Sequence, residues 1–115
     1  LSRPPRATLA DGTLRIEAAY RAFVLDRKAL RAATIEDVDL AHADHDTLPD
    51  GLRRASLWRP GDAIGWHRDG AGRPLFCAIT RMGPALRIDA GDEGVVLWTP
   101  TDPSAVRRAI AEAAA

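Results

Sequence analysis

Val95-Val96-Leu97-Trp98-Thr99-Pro100-Thr101-Asp102-Pro103, followed by Ser104–Ala115, is the stretch that decides the fold class. Four consecutive branched or aromatic apolar residues favour a buried strand. The chain then changes period. Asp102 is suited to cap a helix N-terminus, and Pro103 to occupy its first position. Val106, Ala109, Ile110 and Ala113 follow at i, i+3, i+4 and i+7, which is one apolar stripe, with Arg107, Arg108 and Glu112 on the other side. A helix this short is marginal alone, so the stripe is expected to dock on β structure, with Ile110 the most buried of the four.

Working backwards, turn signals recur about every 8–12 residues, the spacing of an all-β sandwich or barrel. They are Asp11-Gly12, Pro60-Gly61-Asp62, Asp69-Gly70-Ala71-Gly72, Met82-Gly83-Pro84 and Gly91-Asp92-Glu93-Gly94. Between them, Leu14, Ile16 and Ala18 alternate with Arg15 and Glu17, and Leu86 and Ile88 with Arg87 and Asp89. That alternation marks half-buried strands. Tyr20–Leu25, Ala63–His67 and Leu75–Ile79 also read as strands, and Gly65 inside one of them signals a bulge or a close backbone approach. Two stretches stay open. Arg27–Ala33 favours helix by composition, and Ile35–Leu40 suits a short strand or a helix. His42–Gly51 reads as a polar loop. Residues 1–12 read as an extended lead-in, and 13–115 as one domain.

The chain has 115 residues, 46 % hydrophobic and 28 % charged, which suits one globular domain rather than disorder. Sixteen bases balance sixteen acids. Zero net charge argues against a nucleic-acid binder, which would show a basic face. The charge is unevenly placed. Residues 36–50 hold Glu36, Asp37, Asp39, Asp44, Asp46 and Asp50 and no base, whereas residues 1–35 are rich in Arg. The two parts could pair within one fold or between two chains. Fifteen of the sixteen bases are Arg, consistent with GC-rich bacterial coding. A lone Cys77 excludes an intrachain disulfide framework. No apolar run reaches the ~18 residues of a membrane span. Because the chain opens on Leu1, it is expected to be a fragment of a longer protein.

From about Thr13 to Ala114 the order of elements resembles the bacterial pleckstrin-homology-like (PH-like) domain family. The residues that carry the resemblance are Gly61-Asp62-Ala63-Ile64-Gly65-Trp66, the turn at Asp69–Arg73, and above all Val95–Pro103, similar to the family's last strand entering its C-terminal helix. The first half departs from the family's glycine-marked strands. The resemblance implies a mainly β fold: a PH-like barrel of about seven antiparallel strands in two near-orthogonal sheets, one open end plugged by the helix. It also implies a non-catalytic interaction or regulatory role, in the bacterial cytoplasm and often beside a membrane-spanning segment outside this chain. The nearest counterparts to the bases with which eukaryotic relatives hold phosphoinositides are Arg15, Arg21, Arg27 and Lys28.

The residues themselves offer one chemical alternative. His42-Ala43-Asp44-His45-Asp46 supplies nitrogen and oxygen donors that zinc or nickel accepts. His67, with Asp69 near enough in sequence to orient its ring, could be a third ligand. The plainer reading is a solvated acidic loop. Cys77, between Phe76 and Ala78, lacks a charged sequence neighbour to stabilise a thiolate and reads as a small buried hydrophobe. Trp58, Trp66 and Trp98 suit a core or an interface. The leading expectation is therefore an interaction domain without catalysis or cofactor, which binds a protein partner or itself. An anionic-lipid or anionic-ligand binder comes next, and a small metal-dependent hydrolase third.

Overall fold

The computed structural model describes residues 5–18, 21–42, 64–69 and 71–115. The protein is mainly β, built from two sheets and closed by a C-terminal helix. The first sheet is an antiparallel meander of β1 (Arg6–Ala10), β2 (Thr13–Ala18) and β3 (Arg21–Leu25). Alternation sets its register: Leu14 lies opposite Leu25 and Ile16 opposite Phe23, so all four are buried on one face while Arg15, Glu17 and Val24 point outward. The Asp11-Gly12 turn has positive φ at both residues, 55° and 77°. Two-residue hairpins of that geometry match the twist of their strands. A β-carbon at Gly12 would also run into the Arg27 guanidinium. Arg6–Ala10, expected as lead-in, is instead a paired strand of this sheet.

Arg27–Ala32 forms α1, which resolves the first open stretch. Asp26 accepts a hydrogen bond from Ala29 N at 2.8 Å, satisfying one of the donors a helix start leaves free, and Leu30 anchors the helix in the core. The β-branched Thr34 and Ile35 then switch the chain into β4 (Thr34–Asp39).

The second sheet runs β4, β7 (Pro84–Asp89), β8 (Val95–Trp98), β6 (Pro74–Ala78) and β5 (Ile64–Arg68). Among the described residues eight strands form two sheets and no closed barrel. The pairing is not wholly antiparallel, because β8 inserts between β6 and β7 and runs parallel to β6. The sequence accounts for the central place of these strands, not for their direction. Every residue of β8, and Leu75–Ala78 of β6, is buried. Strands apolar on both sides belong in the centre of a sheet, where both faces are covered. Val96, Trp98, Phe76, Ala78 and Ile88 face the meander and the helices. On the other face, Leu75, Cys77, Val95 and Leu97 form a second buried cluster with Leu40, Ile79 and Ala85.

Pro103–Ala114 forms α2. Asp102 caps it through Ala105 N at 3.1 Å. At its far end Arg31 of α1 donates to the carbonyls of Ala114 and Ala115, at 2.7 and 3.0 Å, meeting acceptors a helix end leaves free. Ile110 is 2 % exposed and lies in the inter-sheet core, with Val106, Ala113 and Ala114 packed around it. Ala109 corrects the expected stripe, because it is exposed. One residue is ~100° of helix rotation, and the buried face is centred towards Ala114, which leaves Ala109 on the solvent flank. Arg107 corrects it in the other direction. It donates to Ile35 O at 3.2 Å and pairs with Asp37 at 3.3 Å, so it ties α2 to β4 while staying partly exposed.

The loop expected at 43–51, the stretch 53–58, the turn at 60–62, His45 and Trp58 lie outside the described residues.

Candidate functional site

The acidic stretch is answered from the C-terminal half. Glu36 pairs with Arg87 at 3.3 Å and Asp37 with Arg107, so the described acids of β4 do not meet the N-terminal bases. Arg15 pairs instead with Glu17, its neighbour on the same exposed sheet face, at 2.6 Å. That hydrogen bond, helped by the Arg15 charge, holds the Glu17 carboxyl below its usual range. Arg21 opens β3, whereas Arg27 and Lys28 open α1 beyond its other end. The length of a five-residue strand, ~17 Å, separates them. The four bases expected to hold an anion are not brought into one cluster.

The histidines are further apart. His42 is exposed just beyond β4, and His67 sits on β5. These strands are the opposite edges of the five-stranded sheet, four strand spacings or ~19 Å apart along it. Among the described residues no group of three His, Cys, Asp or Glu side chains could hold a metal. Burial alone depresses the His67 pKa. Asp69 does not orient that ring. Its Oδ1 accepts from Ala71 N and Arg73 N, both at 2.9 Å, and its Oδ2 from Arg73 Nε at 3.1 Å. Burial opposes ionisation of Asp69, but these donors outweigh it and hold the carboxyl below its ordinary range.

The same Arg73 reaches Asp89 at 3.2 Å, and Asp89 meets Arg87 at 3.6 Å. Asp89 also accepts from Gly91 N at 2.9 Å, and that bond leads the contributions lowering its pKa. Asp69, Arg73, Asp89, Arg87 and Glu36 thus form one chain of charge. It straps the β5–β6 hairpin to β7 and β4. Sequence reading flagged the hairpin but missed Arg73. The available signal was an acid–base pair four residues apart across a tight turn.

Cys77 is fully buried, and desolvation pushes its thiol up to about 12. It stays protonated and behaves as a small core residue.

A cleft of ≈ 380 Å³ opens where β8 passes into α2, lined by Pro5 and Ala7 on one side and by Thr80, Arg81, Trp98 and Asp102 on the other. Thr80, Arg81 and Thr99 of its lining are already engaged. Thr80 N donates to Thr99 Oγ1 at 2.8 Å, and the two threonine hydroxyls lie 3.1 Å apart. The Arg81 guanidinium donates to the carbonyls of Thr99 and Pro100. These bonds pin the turn that launches α2.

Trp66 is different. It lies on β5, an edge strand among the described residues, and remains 43 % exposed. Its ring centroid sits 5.1 Å from Phe76, edge-on, and 5.8 Å from Phe23. One indole thus touches an aromatic from each sheet while presenting much of its surface to water. Trp98, by contrast, is buried in the core. Val24 and Met82 are the other exposed large apolar residues among those described. Val24 lies on the outer meander face beside Arg15, and Met82 in the β6–β7 loop. No described helix is long and apolar enough to cross a membrane. No protein-family model, curated protein or solved structure matches the chain.

Proposed function

We propose that this chain is a non-catalytic interaction domain, and that it engages a protein partner on the β5 side around Trp66. The carrying observation is the half-exposed indole, packed at a sheet edge against Phe23 and Phe76. Partly exposed aromatics that are already ordered lose little further entropy on binding, and large aromatics dominate the energetics of many interfaces. The charged groups support the same reading. The Asp69–Arg73–Asp89–Arg87–Glu36 chain and the Arg107 clamp hold secondary structure together.

We extend the proposal to a regulatory or assembling role in a membrane-associated bacterial protein of PH-like kinship. The passage from β8 through Thr99–Asp102 into a capped helix supports that kinship. The parallel β6–β8 pair counts against it.

The test is a benzophenone-bearing amino acid, which keeps an aromatic side chain while it cross-links, placed at position 66, with the same group at the exposed helix position 109 as control. Irradiation in a GC-rich bacterial host should give a discrete protein adduct from 66 and none from 109. An adduct at twice the chain mass would identify the partner as a second copy. Equal labelling from both positions, or none from 66, would overturn the reading. Two further measurements decide the alternatives. Flotation with anionic vesicles that is lost in an Arg27→Gln, Lys28→Gln variant would replace it with lipid binding. One tightly held zinc or nickel per chain, lost in a His42→Ala, His45→Ala variant, would replace it with metal chemistry.

A further inference from the structure

We draw no further inference here: the strongest candidate, the cleft of ≈ 380 Å³ between the start of β1, the β8–α2 turn and the first turn of α2, carries nothing because its Thr80, Arg81, Thr99 and Asp102 are engaged in hydrogen bonds that hold the turn itself.

Discussion

The two edges of the five-stranded sheet are finished in different ways. At β4, Arg107 of α2 covers a strand carbonyl at Ile35 and pairs with Asp37. At β5, a half-exposed indole rests on Phe23 and Phe76. An open strand edge is a template for association unless it is covered or charged. The β4 edge has the Arg107 side chain on one of its carbonyls and the exposed carboxylates of Glu36, Asp37 and Asp39. The β5 edge carries instead the kind of residue that interfaces favour. The comparison teaches that a side chain of α2 serves the structure at one edge, while the other edge carries the indole on which the proposed binding rests.

The largest expected effect breaks the helix side. Ile110→Ala should destabilise the domain by about 2–5 kcal/mol, since methylenes leave the core and a cavity remains. Against a total near ~5–15 kcal/mol, thermal denaturation will show it clearly. A small effect would mean that α2 is not docked.

Next comes the strap that leads to the β5 hairpin. Asp69→Ala removes the acceptor for two backbone N–H groups and for Arg73, and should cost about 2 kcal/mol. The pH dependence follows from the same groups. Asp69 and Asp89 have folded pKa values below their unfolded ones, so their contribution is complete above the ordinary carboxylate range. It is lost as the pH falls through ~4 and towards the lowered folded values. His67 is also depressed, so the unfolded chain takes up its proton first, which gives a smaller earlier loss as the pH passes ~6.5. Melting temperature measured from pH 7 to 3 should show this two-stage decline, and Asp69→Asn should flatten its acid part.

Arg107→Ala ranks third, with a loss of about 1 kcal/mol from its bonds to Ile35 and Asp37. Read from periodicity alone, the residue faces water and its removal is neutral, so chemical denaturation separates the two views. Arg15→Ala ranks last and should leave the melting temperature unchanged. Its pair with Glu17 is exposed on both sides, and such pairs contribute little.

The Leu14–Ile16–Ala18 alternation and the Asp102-Pro103 helix start are local signals, and both appear where their residues place them. The parallel β6–β8 pair was not legible. Continuous apolar runs announce burial on both faces but say nothing about which strand inserts between which others. Arg107 was misplaced for a related reason. Helical periodicity assigns a residue to a face, and only the tertiary position of β4 decides whether that face meets water. The candidate site was legible as a residue type, since Trp66 was one of three tryptophans suited to a core or an interface. Its exposure depends on Phe23 and Phe76 converging from two sheets, a long-range event with no local signature. His42 and His67 lie towards opposite sides of the five-stranded sheet, and Arg21 and the Arg27–Lys28 pair at opposite ends of β3, a tertiary placement that no local signal announces.

The contrast between the edges is tested most directly by measuring stability and partner capture together in two variants, Trp66→Ser and Arg107→Ala, each carrying a photo-cross-linking residue in place of exposed Arg68. The account predicts that Trp66→Ser stays folded, melts within a few degrees of the parent and loses the adduct. Arg107→Ala should melt lower and keep the adduct. A Trp66→Ser protein that captures its partner as well as the parent would contradict the assignment of binding to the β5 edge.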